Sequence, residues 1–352
     1  MDLPTIWFVL IAVLWVGYFV LEGYDFGVGM LVGILGRKNN DRRVLINTIG
    51  PLWDGNEVWL LTAGGAIFAA FPEWYATLFS GLYLPLLLIL IALILRGVAF
   101  EYRAKRDSAA WRRGWDFCII FGSFVPALVW GIGFANFVRG LPITTQTTET
   151  GLFKGWVMQG NVENFFGLFM PFALLGGVLT VVLFLFHGAV FVTFKTKDEM
   201  RERAQAFANR IGIVTIVVMA GWTLWMAGAY GKPANWVLAV LAILAVVGAW
   251  LLNRVGRDGL AFASTAASIV FLFVGIFVAL YPYVMKSSLG EQFSMTAAQA
   301  ASSDKVLQIM SVAALVAVPV VIAYQAWSFW VFRKRLSVKN LPVEQPEAEG
   351  VH

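Results

Sequence analysis

The sequence predicts an all-α polytopic membrane protein of nine transmembrane helices, and three observations lead there. Hydrophobic residues make up 59% of the 352-residue chain and charged residues only 13%, against roughly half and a quarter in a soluble domain. Apolar runs of about 20 residues, enough to cross a bilayer, recur along most of the chain. The basic residues fall in alternate loops between these runs, which is a topology signal. The net charge of +5 therefore reflects loop placement and not a phosphate-binding stripe, and no nucleic-acid partner is expected.

In chain order the predicted spans are 5–35, 46–71, 74–100, 115–138, 164–194, 211–230, 234–252, 259–283 and 306–332. The first follows Met1-Asp2-Leu3-Pro4. Without a basic leader or a small-residue cleavage site, it is expected to stay in the mature protein. Pro85, Pro126, Pro171 and Pro319 fall inside spans and are expected to kink them. Of the 26 basic residues, 20 lie in one alternating set of loops, such as Arg37, Lys38, Arg42 and Arg43, while five lie in the other and Arg96 alone is inside a span. This bias puts the N-terminus outside and the C-terminus in the cytoplasm. The loop near 139–163 then faces outward, and the Glu/Pro-containing tail 338–352 is expected to be disordered in the cytoplasm.

Scarce residues limit the chemistry. Cys118 is the single cysteine, so no intrachain disulfide and no thiolate metal or iron–sulfur site can form. The two histidines are His187 and the C-terminal His352, too few for a bis-histidine haem within the membrane. Any redox cofactor served by this chain must be held largely by another polypeptide. No nucleotide-binding loop, nucleophile elbow or zinc motif is present.

Ionisable groups inside spans are the sharpest signal, because each is costly in lipid unless paired, hydrated or neutralised. Glu22 and Asp25 are three apart in the first span and share a helix face, as do Asp54 and Glu57 in the second. Asp25 is about ten residues, roughly 15 Å, from the cytoplasmic end of its span, and Asp54 is about 12 Å above the same boundary. Arg96 lies at similar depth as a structural counter-ion, with Glu101 below it at the rim. Two readings stand side by side. In one, a structural polar cluster joins helices through Arg96. In the other, Glu101, Asp54 and Asp25 form a proton pathway, with Glu22 and Glu57 as further members. One arginine cannot neutralise four acids, and burial favours the protonated carboxyl, as a proton carrier requires. His187 is open to three roles: haem ligand, proton relay or satisfied core residue. Gly29 and Gly33 form a small-residue packing face, and Gly64-Gly65 suggests close helix contact in the second span, within this chain or with a partner.

These residues carry a resemblance. Glu22-Gly23-Tyr24-Asp25-Phe26-Gly27-Val28-Gly29, Pro51-Leu52-Trp53-Asp54-Gly55-Asn56-Glu57-Val58-Trp59 and Thr62-Ala63-Gly64-Gly65-Ala66 are similar to segments of subunit II of the cytochrome bd quinol oxidases. Phe100-Glu101-Tyr102-Arg103, Gly122-Ser123-Phe124-Val125-Pro126, Asn164-Phe165-Phe166 and Tyr281-Pro282 extend the likeness across roughly residues 1–335. The resemblance implies two four-helix bundles, in 1–138 and 164–283, plus an additional helix at 306–332. It implies a respiratory complex in the prokaryotic cell membrane that oxidises quinol and reduces oxygen. Two b-type haems and one d-type haem would sit in subunit I, the partner of this cofactor-free chain, and a small single-helix subunit, lipid and a structural quinone are further partners it suggests. It also assigns Asp25 and Asp54 to a proton pathway from the cytoplasm and places Trp59 near a possible oxygen route. Glu57 and His187 depart from some members, which carry glutamine there, so neither inherits a role. A proton-coupled secondary transporter is the alternative from another class, although no pair of interrupted spans marks a transporter site. A purely structural subunit is the third reading.

Reporter fusions check the orientation: Asn40, Ser108, Lys197 and Lys339 are expected to read cytoplasmic, and Thr147 and Ser288 outside. One inverted pair would break the assignment.

Overall fold

The computed structural model describes residues 2–147, 153–159 and 166–340. Its helices are α1 (Leu3–Ile34), α2 (Asn39–Ile49), α3 (Trp53–Ala70), α4 (Pro72–Gly81), α5 (Tyr83–Tyr102), α6 (Ala109–Arg139), α7 (Pro171–Lys195), α8 (Asp198–Ala229), α9 (Pro233–Arg254), α10 (Asp258–Leu280), α11 (Ala297–Ala300) and α12 (Asp304–Val331). Two antiparallel ribbons pair β1 (Ile143–Thr147) with β2 (Phe153–Met158) and β3 (Tyr283–Met285) with β4 (Met295–Thr296). Local chemistry sets several helix starts. The Asp2 side chain accepts from the Thr5 amide and the Ser108 hydroxyl from the Trp111 amide. Pro171 and Pro233 open α7 and α9, where a missing N–H costs nothing.

Among the described residues, eight helices are long and apolar enough to cross a membrane: α1, α5, α6, α7, α8, α9, α10 and α12. The predicted span 46–71 is divided, because Gly50 and Pro51 interrupt it between α2 and α3. Its α3 portion carries Asp54, Asn56 and Glu57 in its first turns and is not among the eight. Nevertheless α3 runs from the end of the molecule near α2 to the opposite end, where α4 meets β2 and the Thr77 hydroxyl donates to the Trp156 carbonyl at 3.3 Å. The span predicted at 74–100 divides at Leu82 into α4 and α5. Pro171 starts a helix and does not kink one, and Pro85 falls in the first turn of α5; only Pro126 and Pro319 lie inside helices. Asn164, Phe165 and the tail from 341 onward, His352 included, fall outside the described residues.

The central element is α1, which packs against α3, α6, α7 and α10. Glycines permit these close crossings. A Cβ on Gly27 would lie 2.0 Å from the Phe184 carbonyl oxygen, and one on Gly188 would lie 2.6 Å from Gly27 itself, so α1 and α7 meet backbone to backbone. Gly29 and Gly33 form the expected packing face, against Ser123 and Ile120 of α6. At Gly64 and Gly65, by contrast, nothing among the described residues of this chain stands within 4 Å of an added Cβ, and both line an open apolar cavity of about 600 Å³ with Leu60, Phe68 and Leu90. Towards the ribbon end, Phe19 stacks on Phe273 at 3.9 Å and Trp15 meets Trp130 edge-on at 4.9 Å, tying α1 to α10 and α6.

All five basic segments converge at one end. Asp116 takes ion pairs from Arg42 at 2.8 Å and Arg103 at 2.5 Å, while Asp258 takes them from Arg201 at 2.9 Å and Arg335 at 3.0 Å. Arg203 joins α8 to Asp41 of α2 at 2.9 Å. Burial alone would raise the Asp41 carboxyl, but hydrogen bonds from Arg203 and the Lys38 amide hold it below its usual value. The segment after α12 returns along the same end, where Leu336 pairs with Lys195 and Lys197 through the backbone. Helix α12 is the least packed: Leu307 is its one buried residue, and Val312, Leu315, Val320, Tyr324, Trp327 and Trp330 are exposed around its circumference.

Gly188→Leu is expected to lower thermal stability and folded yield, since overpacking a tight core costs about 1–3 kcal/mol and here the obstruction is backbone. Wild-type melting in detergent would contradict the backbone contact.

Candidate functional site

Arg96 lies on α5 in the half of the molecule nearer the basic end, with no part of its side chain exposed. Its Nη1 donates to Glu22 Oε2 of α1 at 2.8 Å and to Glu57 Oε1 of α3 at 3.2 Å. The guanidinium also lies over the rings of Phe26 at 4.9 Å and Phe100 at 5.4 Å, adding cation–π attraction. Gly122 of α6 makes room for it, because a Cβ there would sit 2.5 Å from Arg96 Cβ. Thus three helices are joined through one cation, and α6 must lack a side chain where the cation's stem passes.

Beside this triad is a second buried constellation. Asn56 Nδ2 donates to Asp25 Oδ2 and to the Tyr24 hydroxyl, each at 2.6 Å. Asp25 and Asn56 are buried, and Asp25 is within electrostatic reach of Arg96 and Glu57. Glu22 Oε1, Asp25 Oδ1, Arg96 Nε and Arg96 Nη2 are buried without a hydrogen-bond partner among the described residues. A buried polar atom left unpaired is costly. The cluster consequently retains unpaired acceptor atoms on two acids and unpaired donors on the guanidinium.

The other acids of the predicted set lie elsewhere. Asp54 is exposed on the surface of this chain one turn before Glu57, whose charge it influences, and Glu101 is exposed at the end of α5. The structure therefore gathers Glu22, Asp25 and Glu57 about Arg96 and leaves Asp54 and Glu101 at the chain's surface. Glu57 connects the two groups, with 23% of its side chain exposed. Trp59, one helical step further along α3, is partly buried and donates its indole N–H to Gln325 Oε1 at 2.7 Å. It is not among the residues lining the apolar cavity.

His187 is buried in the core of the helices. Nε2 contacts the Val20 carbonyl at 3.1 Å and Nδ1 the Thr265 hydroxyl at 2.6 Å, and the ring stacks on Phe262 at 4.8 Å. Both ring nitrogens are engaged, which leaves neither free for axial ligation in this arrangement. No group of three or more potential metal ligands occurs among the described residues.

Two residues of the buried network are not marked by the sequence alone. Asn56 was visible only as part of the Trp-Asp-Gly-Asn motif, and Gln325 as an amide inside an otherwise apolar run. A buried amide in a membrane helix needs partners, and that was the available signal.

Residues 3–332 match the family described as cytochrome bd terminal oxidase subunit II. The chain is 43% identical to cytochrome bd ubiquinol oxidase subunit 2 of Bacillus subtilis, over 96% of this chain and 98% of that protein. It is 34% identical to cytochrome bd-I ubiquinol oxidase subunit 2 of Escherichia coli K12, over 96% of each. The structure of bd oxidase from Geobacillus thermodenitrificans contains a chain of like fold, with a TM-score of 0.73 at 19% identity, covering 94% of this chain and 99% of that one.

Arg96→Leu is expected to reduce folded yield sharply, because breaking a buried pair typically costs about 3–5 kcal/mol, and Arg96→Lys to be milder. Normal yield with lost activity would instead assign Arg96 a direct part in proton movement.

Proposed function

The chain belongs to the subunit II family of cytochrome bd terminal oxidases, and from that premise we propose that it carries protons from the cytoplasm towards the oxygen-reducing site of its partner. The observation that supports this is the buried group of Glu22, Asp25 and Glu57 around a single arginine, with carboxylate oxygens left unpaired. In a structural ion pair the charges balance; here one cation faces three acids. Asp54 and Glu101, exposed on the side of the basic loops, receive protons from water. Glu57 relays them inward, and Glu22 and Asp25 hold them at depth.

As a component of a quinol-oxidising terminal oxidase, the chain serves a reaction in which oxygen takes up four protons and four electrons to give two waters. Quinol oxidation supplies the electrons and releases its own protons. If these leave outside while the consumed protons enter from the cytoplasm through this chain, turnover builds a membrane potential without a pump. We assign the redox groups, two b-type haems and one d-type haem, to subunit I. His187 is already engaged on both nitrogens, which agrees with that assignment. The nine-span topology, its two four-helix bundles and an outside N-terminus belong to the same proposal, supported by the convergence of all five basic segments at one end. Helix α12 and its unburied apolar circumference suit coverage by subunit I, a small single-helix subunit, lipid or a structural quinone. Family membership sets aside the secondary-transporter reading.

Asparagine keeps the shape and hydrogen bonding of aspartate but cannot take up and release a proton at working pH. Asp25→Asn and Asp54→Asn in the assembled complex are each expected to cut oxygen uptake per haem roughly ten-fold or more, with haem content unchanged. Potential generation in proteoliposomes should fall in parallel. Wild-type values for both variants would leave the cluster a purely structural role.

A further inference from the structure

A directed hydrogen-bond chain ends on Asp25. It begins at Trp59, whose indole nitrogen can only donate. That donor meets Gln325 Oε1 of α12 at 2.7 Å, so the glutamine must present its NH₂ group on the other side. Gln325 Nε2 in turn donates to Asn56 Oδ1 at 3.0 Å. With its oxygen so engaged, Asn56 directs both amide hydrogens inward, to the Tyr24 hydroxyl and to Asp25 Oδ2, each at 2.6 Å. Amide orientation is ordinarily ambiguous because oxygen and nitrogen are nearly isosteric. Here the indole removes the ambiguity at every link. A flipped Asn56 would set its oxygen against Asp25 Oδ2 at 2.6 Å, tolerable only with a proton between them. The starting point is itself anchored: the Trp59 ring occupies the notch at Gly17 of α1, where an added Cβ would lie 2.2 Å from the ring.

We infer that Trp59 and Gln325 are positioning residues for Asp25, holding Asn56 in the one orientation that offers the carboxylate a donor when it releases its proton. This rests on the reading that Asp25 carries protons, and extends it to the last helix. Helix α12 is packed lightly against the rest of the chain, yet it supplies the middle link. The placement of α12 against α3 thereby decides whether Asp25 is met by a hydrogen or by a lone pair.

The test is oxygen uptake per haem as a function of pH, in the complete complex, for Gln325→Leu and Trp59→Phe alone and combined with Asp25→Asn. Each single variant is expected to lower turnover roughly three- to ten-fold, the worth of a hydrogen bond of ordinary net strength, at unchanged haem content. Each is also expected to displace the pH profile, whereas looser packing would scale turnover equally at every pH. In the Asp25→Asn background neither is expected to reduce turnover further, since the effect passes through Asp25. Should Gln325→Leu not assemble, Trp59→Phe carries the same test with an aromatic ring retained. Wild-type turnover and profile in both single variants, beside a slow Asp25→Asn, would overturn the positioning role and leave the proton reading standing. Losses that add to that of Asp25→Asn would also overturn it. A fully active Asp25→Asn would instead remove the proton reading, and this inference with it.

Discussion

A guanidinium that cannot give up its charge, placed inside a membrane helix, imposes its requirements on everything near it. Insertion of an arginine at mid-membrane costs about 3 kcal/mol even on the lenient scales, so Arg96 must be paired, and its partners come from two other helices. Glu22 draws α1 to α5, and Glu57 draws α3 to both. The aromatic faces of Phe26 and Phe100 complete the enclosure, and Gly122 leaves space for the arginine's stem. With three acids near one cation, the pairing that holds the helices together also leaves acid unneutralised. The atoms that hold the helices together are thus also those proposed to carry protons.

That cluster could not form unless α1 were approached closely from several sides. Gly27 meets Gly188, Gly29 and Gly33 accept α6, and Gly17 receives Trp59. Without the hydrophobic effect to press helices together in lipid, such small-residue contacts and buried polar links supply the association. The two ends differ in character. The basic end is tied by ion pairs centred on Asp116, Asp258 and Asp41, and the opposite end by two short ribbons. Asp54 and Glu101 are exposed towards the first end, and Glu22 and Asp25 are buried.

Helix α12 stands apart. Leu307 and Phe329 pack against the core, the Trp7 indole donates to Ser311 near one end and Gln325 bridges Asn56 and Trp59 near the other. With one buried residue and an apolar circumference, the helix buries little of itself within the chain.

The sequence by itself determined the class of protein, the position of most helical spans with four of them matched closely at both ends, the one-sided basic loops and the identity of Arg96 as the one cation placed within a span. Composition and period suffice for these, since lipid demands long apolar helices and alternate loops record their own side. It misjudged the second and third spans, because a Gly-Pro pair and a Gly-Leu step break helices that hydropathy alone reads as continuous. It could pair Glu22 with Asp25 by spacing, but not tell which acid faces the cation. That choice depends on how α1, α3 and α5 are rotated about their axes, and rotation is set by contacts such as Gly122 against Arg96, remote in sequence. The same cause put Asp54 at the surface, brought Asn56 to Asp25 and carried Gln325, some 270 residues along the chain, into the site. Residue type is a local property and facing is a tertiary one, so only the packed structure could make an apolar last helix part of an acid cluster.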